Sequence, residues 1–136
     1  MNESLQPLET AHRMYDVARW QGLDGARRLG DFELTRRVCN GIGPEWFPPW
    51  ARWLVCAIAA VIVPTSWIHD IDYEAGGGRL DRWIADWRYL RNGLRAAWRT
   101  YAWDQLRRYS TIVKVLWFWV MLRLFGAAAF NWRRSR

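Results

Sequence analysis

Cysteine and lysine are scarce in this chain of 136 residues. Its two cysteines, Cys39 and Cys56, cannot build the disulfide framework typical of small secreted proteins. Two buried thiols are therefore expected, with a single Cys39–Cys56 bridge as the alternative. Lys114 is the only lysine among twenty basic residues, so the positive charge is almost entirely arginine. Residues 1–30 are polar and charged, and because they lack an apolar run no signal peptide is expected.

Nucleic-acid-binding motifs are also missing, although the net charge is +7 and the pI is about 10.2. No helix-turn-helix, zinc or single-strand stacking motif stands out, so nucleic acid is not an expected partner. Tryptophan, by contrast, is abundant, with twelve residues in a chain that is 51% hydrophobic. Arginine with tryptophan suits an anionic membrane surface, because guanidinium groups bind phosphate while indoles lie at the headgroup level. A phospholipid membrane is therefore the expected partner.

Length and hydrophobic periodicity predict one small all-α domain. A chain of this size supports one modest core, and apolar residues recur at three- to four-residue spacing in most segments. The predicted helices are 8–21, 31–39, 50–63, a helix after Pro64, 80–97, and one or two helices within 98–130. The predicted organisation is a single domain with N-terminal helices in 1–38, a core in 39–98 and an apolar, basic helical segment in 99–136.

Residues at the predicted helix ends suggest how those helices begin. Asp31 is expected to cap the second helix. Pro64 is expected to precede a helix whose free amides are capped by Thr65 or Ser66. The β-branched run 61–63 leaves a short strand open as an alternative to a helix there.

Two short motifs separated by three glycines carry the candidate chemistry. His69 and Tyr73 are spaced i, i+4, so their side chains point to one helix face. The glycines at 76–78 let the chain reverse, so that Asp86 on the next helix can face His69. A capped helix with a surface His-Asp pair is the alternative interpretation of the first motif.

These motifs resemble a known superfamily. His-Asp-x-x-Tyr at 69–73 followed by Ala-Asp-x-x-Tyr-Leu at 85–90 resembles the two catalytic helices of the phospholipase A2 superfamily, above all its disulfide-poor viral and bacterial branches. The stretch from Cys39 to Pro44 resembles a reduced form of that superfamily's glycine-rich calcium loop. A narrower resemblance is to small uncharacterised phage-encoded proteins. It rests on Pro48-Pro49-Trp50, Ile68 to Tyr73, Ala85-Asp86 and Arg123-Leu124-Phe125-Gly126.

The resemblance implies two antiparallel catalytic helices, amphipathic flanking helices and hydrolysis of the sn-2 ester of membrane phospholipids. In the implied mechanism, neutral His69 takes a proton from the attacking water. Asp86 holds the other imidazole nitrogen and fixes the tautomer. Tyr73 supports Asp86 by a hydrogen bond.

Calcium is the cofactor that the resemblance implies. Asp70 and backbone carbonyls near Gly41 and Gly43 would hold the ion, which binds the lipid phosphate and stabilises the oxyanion. Asp72 adds a carboxylate next to this site. It is either a substitute ligand or a plain surface charge, and a surface charge is expected.

Residues 112–132 are predicted to dock on a membrane or a partner instead of spanning a bilayer. Val115 to Phe130 has sixteen residues by count, whereas a membrane span needs ~20, and Arg123 falls inside it. The predicted membrane-binding residues are Trp117, Trp119, Trp132, Arg133 and Arg134. The alternative is that this helix buries its aromatic residues against 50–63 and completes the core.

Three functions stay open from the sequence. The first is a calcium-dependent phospholipase encoded by a phage or a bacterium and acting at a membrane. The second is a non-enzymatic phage tail or baseplate protein, which would contact phage structural proteins or self-associate and lie in the virion. The third is a membrane-binding interaction protein in which the His69–Asp70 pair is incidental.

Overall fold

A computed structural model describes residues 6–39 and 48–132, without the side chains of residues 52, 53 and 56–58. The described chain is 81% helical and contains no strand, which confirms the all-α prediction. Its helices are α1 (Leu8–Trp20), α2 (Phe32–Val38), α3 (Pro49–Ile58), α4 (Val63–Ala75), α5 (Arg79–Thr100) and α6 (Gln105–Phe125). Two 3₁₀ turns lie between helices, at Ala26–Gly30 and Ala60–Ile62, and a third, Gly126–Ala128, follows α6.

The predicted helix starts are right at Asp31 and wrong near Pro64. The Asp31 carboxylate accepts a hydrogen bond from the Leu34 amide at 3.1 Å, so it caps α2. Helix α4 begins at Val63 with Pro64 inside its first turn, where the missing N–H has no partner to lose. Ser66 therefore lies within the helix, and its hydroxyl donates to the Ile62 carbonyl at 3.2 Å instead of capping. Thr65 is likewise not a cap, and the predicted helix 50–63 is two elements, α3 and a 3₁₀ turn.

The two longest helices, α5 and α6, pack against each other along their length. Arg82 near the start of α5 donates to the carbonyls of Leu122 and Arg123 near the end of α6, at 2.9 and 3.1 Å. Farther along, a Cβ on Gly93 would lie 2.5 Å from a methyl carbon of Val115. Glycine at this position therefore permits the close approach of the two helices.

The apolar interior consists of two main clusters on either side of α4. The first contains Trp67, Ile68 and Ile71 of α4 together with buried residues of α1 and the Ala26–Gly30 turn. The second contains Ala59, Ile62, Leu90 and Val115, and Phe118 and Trp119 of α6 pack on it. Part of α6 therefore completes the core against the 50–63 segment.

Candidate functional site

The Asp86 carboxylate is the centre of a polar cluster in the interior of the protein. Asp86 is fully buried on α5, and its Oδ1 lies 3.0 Å from Nε2 of His69. The same oxygen accepts a hydrogen bond of 2.6 Å from the Tyr73 hydroxyl. Since α4 places His69 and Tyr73 one turn apart, their rings lie 4.0 Å apart and reach one carboxylate oxygen together. The predicted proximity of these three residues is present, whereas their catalytic roles stay predictions.

Helices α4 and α5 run in opposite directions where they contact each other. Tyr73, near the end of α4, contacts Arg82 near the start of α5, and His69 contacts Asp86 one turn farther on. The turn between the helices uses Gly76 and Gly77 at φ values of 66° and 136°. A side chain at Gly76 would collide with the backbone, because a Cβ would lie 2.0 Å from the Asn131 carbonyl oxygen.

The second oxygen of Asp86 binds arginine, which the sequence reasoning missed. Arg123 of α6 donates to Oδ2 at 2.7 Å, and Arg82 lies 3.8 Å from the same oxygen. Arg82 precedes Asp86 by four residues, a spacing that brings side chains together on a helix and was visible in the sequence. Arg123 is 37 residues away from Asp86. Its one sequence signal was its place in the Arg-Leu-Phe-Gly motif.

These hydrogen bonds keep Asp86 ionised. Burial alone would raise the pKa of Asp86, but hydrogen bonds from the imidazole, the phenol and the Arg123 guanidinium lower it below its ordinary value. Burial and the hydrogen bond to Asp86 raise the pKa of Tyr73, so the phenol stays protonated and donates. An ionised carboxylate accepts the proton on Nε2 of His69, which is the hydrogen bond observed between them.

His69 lies in the interior, so it is not part of a surface His-Asp pair, the alternative interpretation of the first motif. Its side chain is 5% exposed, with the Tyr73 ring on one side and the Tyr89 ring at 5.4 Å edge-on. Within the described part of the chain, Nε2 is the ring nitrogen with a hydrogen-bond partner.

Residues 126–132, here called the strap, cover the Tyr73 side of the cluster. The Phe130 ring packs edge-on against Tyr73 at 5.1 Å and is itself buried. Asn131 joins the strap to α4 and the glycine turn that follows it. Its backbone N–H donates to the Tyr73 carbonyl at 3.2 Å, and its backbone carbonyl accepts from the Gly77 N–H at 3.0 Å. The polar cluster is thus enclosed by α4, α5, α6 and the strap.

Asp72 is a buried ion-pair partner, so the expectation of a surface charge is wrong. Its Oδ1 accepts hydrogen bonds from Arg28 and, at 2.7 Å, from Arg88. Arg88 also binds Asp24 at 3.0 Å, which ties the loop after α1 to α5. Asp72 and Asp86 thus belong to two separate acid–arginine groups, and both groups include an arginine of α5.

The predicted calcium ligands are described only in part. Gly41 and Gly43 lie outside the described residues. Asp70 is half-buried. Burial of the Cys39 thiol is the main cause that raises its pKa, and the negative charge of Asp70 raises this pKa further. The described residues contain no group of three or more His, Cys, Asp or Glu placed to hold a metal. Because calcium takes six to eight oxygen ligands, these residues alone do not form a calcium site, and no chemical step is assigned to the ion.

The predicted membrane-binding residues lie in different environments. Trp117 is 61% exposed and Trp132 is 50% exposed. Trp119 is partly buried and packs against the second core cluster, because two residues along a helix turn the side chain to the other face. Its membrane contact stays a prediction. Arg133 and Arg134 lie outside the described residues.

No family model, curated protein or solved structure matches this chain. The resemblance to the phospholipase A2 superfamily therefore rests on the motif residues alone.

Proposed function

We propose that this protein is a phospholipase A2-like esterase that hydrolyses the sn-2 ester of membrane phospholipids. The observation that carries the proposal is that one oxygen of Asp86 accepts hydrogen bonds from both His69 and Tyr73. A histidine held by a buried carboxylate on one nitrogen is a general base on the other. This is the arrangement expected from the two resembling motifs.

The proposed reaction uses groups that the cluster supplies. Nδ1 of His69 takes a proton from water while the water oxygen attacks the sn-2 carbonyl carbon. The ester C–O bond then breaks, and the imidazolium returns its proton to the leaving alkoxide, giving a fatty acid and a lysophospholipid. Asp86 stabilises the imidazolium in between, and Tyr73 holds Asp86 in place.

A second candidate function is favoured by the burial of the cluster. With His69 only 5% exposed and Asp86 bound by groups from three helices, the cluster resembles a structural lock between α4, α5 and α6. In a non-enzymatic structural or assembly protein, such as a phage tail or baseplate component, the cluster would hold the three helices together and catalyse no reaction. The two candidates differ in whether His69 is required for a reaction or only for stability.

The test compares the two histidines of the chain. Fatty acid release from mixed phospholipid vesicles is measured for the wild type, His69→Gln and the matched control His12→Gln, whose residue is exposed on α1. We expect His12→Gln to match the wild type and His69→Gln to lose about 100-fold or more, the usual contribution of a general base. Circular dichroism verifies that each variant is folded.

Calcium dependence is measured separately in the same assay. Rates with millimolar calcium and with chelator, together with calorimetry for cation binding, test whether Asp70 belongs to a calcium site that includes residues 41 and 43. If a folded wild type releases no fatty acid with calcium present and binds no cation, the assembly function becomes the better account.

A further inference from the structure

Helix α6 has an uncovered apolar face along its whole length. The exposed large side chains recur every three or four residues, which places them on one side of the helix. They are Leu106, Tyr109, Val113, Leu116, Trp117, Val120 and Leu124, here called the α6 face. Only 17% of the most apolar stretch of this helix is buried inside the molecule. A continuous apolar face of this length marks an interaction surface.

The net positive charge of the protein lies in the same segment. Residues 1–104 contain thirteen basic and thirteen acidic residues, whereas residues 105–136 contain seven basic residues and no acidic one. The net charge of +7 therefore belongs entirely to the segment that carries the α6 face. An apolar face in a purely basic segment is complementary to an anionic lipid surface, which offers both hydrocarbon and negative headgroups.

The length of α6 raises the question of a membrane span. By length and composition, Gln105–Ala128 is the one helix in the described ranges that could cross a membrane, so the argument that the apolar segment is too short is wrong. Its inner side, however, is held to α5 by Arg82, Gly93 and the Asp86–Arg123 pair. Helix α5 carries arginine at 79, 82, 88, 91, 95 and 99. A spanning α6 would draw these charges into hydrocarbon or lose its packing on α5.

We propose that the α6 face docks flat on an anionic phospholipid bilayer. The inference rests on the proposed function in taking phospholipid as the occupant, and it adds the surface by which the protein meets its substrate. The apolar side chains enter the boundary between the headgroups and the acyl chains to a depth of ~5–10 Å. Trp117 lies at the headgroup level, and the basic residues of the segment other than the buried Arg108 and the Asp86-bound Arg123 bind lipid phosphates. The inner side of α6 keeps Arg123 on Asp86, so the docked helix also forms one wall of the candidate site.

The test measures binding without turnover. Vesicles made from the diether analogues of both phosphatidylcholine and phosphatidylglycerol, neither of which has an sn-2 ester, are sedimented with the wild type and with Trp117→Glu and Leu124→Glu. Trp20→Glu is the matched control, because Trp20 is 54% exposed and belongs to α1, not to the α6 face. We expect about tenfold or greater weakening for both α6 variants, because a carboxylate would enter the boundary, and no change for the control. Binding by the wild type should weaken with salt and shift tryptophan emission to the blue.

Three results would overturn the docking proposal. The first is binding of both α6 variants as strong as that of the wild type, with circular dichroism unchanged. The second is a wild type that sediments as a dimer while Leu124→Glu is a monomer, because a second copy would then cover the α6 face. The third is salt-sensitive binding to duplex nucleic acid with no binding to vesicles.

The same variants separate docking from hydrolysis. A short-chain phospholipid below its micelle concentration is an ester substrate that needs no surface. If vesicles are bound but this monomer is not cleaved, the hydrolase proposal fails and docking stands. If the monomer is cleaved equally by wild type and Trp117→Glu while vesicles are not bound, docking fails and hydrolysis stands.

Discussion

Asp86 is the residue on which the interior of this protein depends most. A carboxylate that is fully removed from water is unstable unless both oxygens have partners. Here one oxygen binds the imidazole and the phenol of α4, and the other binds the Arg123 guanidinium of α6. Loss of the carboxylate would therefore disturb three helices at once.

Asp86→Ala is expected to lower the free energy of unfolding by about 3–5 kcal/mol, because it leaves buried donors without an acceptor. Urea unfolding followed by circular dichroism measures the change. Glu74→Ala is the matched control, since Glu74 is an exposed acid on α4, and its effect should stay within about 0.5 kcal/mol. Similar losses for the two variants would show that the Asp86 cluster adds nothing to stability.

The stabilisation by Asp86 should also depend on pH. Because the pKa of Asp86 is lower in the folded protein, the carboxylate stabilises the fold fully above its unfolded pKa of about 3.9, and this stabilisation is lost as the pH falls through the folded pKa. The difference in unfolding free energy between the wild type and Asp86→Asn should therefore be constant from pH 7 to about 5 and shrink below about 4. A difference that is unchanged down to pH 2 would contradict the lowered pKa.

Residue spacing predicts local partners and misses distant ones. The motifs at 69–73 and 85–86 were sufficient to place Asp86 opposite His69, because helix periodicity and a glycine turn fix both ends of that contact. Asp72 and Arg28 are separated by 44 residues, and no local pattern encodes their ion pair. For that reason Asp72 was assigned to the surface, although it is buried.

At the scale of the elements, the packing of α5 on α6 depends on Gly93. In an exposed helix, glycine to alanine is favourable by about 0.8–1.0 kcal/mol. At Gly93 the new Cβ would lie 2.5 Å from Val115, so Gly93→Ala should instead destabilise by about 1–3 kcal/mol. Thermal unfolding measures this, with Gly78→Ala as the control, because the nearest atom to a Cβ there is 3.8 Å away. A stabilised Gly93→Ala would mean that the two helices pack less closely than described.

Hydrophobic periodicity predicted the elements better than their boundaries or faces. Amphipathic helices such as α1 and α5 have apolar residues every three or four positions and polar residues between them, so their existence and position followed from the sequence. Helix α6 is apolar nearly all round, and its pattern could not tell that Trp119 faces the core while Trp117 faces outward. That difference depends on where α3 and α5 pack, which is tertiary information.

At the scale of the whole molecule, the C-terminal segment is part of the fold. Val115 and Trp119 belong to the second core cluster, and Arg123 binds Asp86. A chain truncated after Ser110 should therefore lose cooperative unfolding and aggregate, because it exposes this cluster and leaves the buried carboxylate short of a partner. Circular dichroism and size-exclusion chromatography measure both effects. A soluble truncated chain with an unchanged melting temperature would show that α6 does not contribute to the stability of the fold.

A shorter truncation, which removes only residues 133–136, is the control for that experiment. Removal of residues 133–136 leaves α6 and the strap intact, so the melting temperature should not change. Vesicle binding by this shorter chain should weaken, because three arginines are lost from the basic segment.

The central claim is that the His69–Asp86–Tyr73 cluster cleaves the sn-2 ester. The most direct measurement is mass spectrometry of the products from a phospholipid with different acyl chains at sn-1 and sn-2, incubated with calcium and the wild-type protein. If the proposed hydrolysis takes place, the products are the sn-2 fatty acid and a lysophospholipid that keeps the sn-1 chain, and both are lost with His69→Gln. Release of the sn-1 chain, or equal products from wild type and His69→Gln, would contradict it.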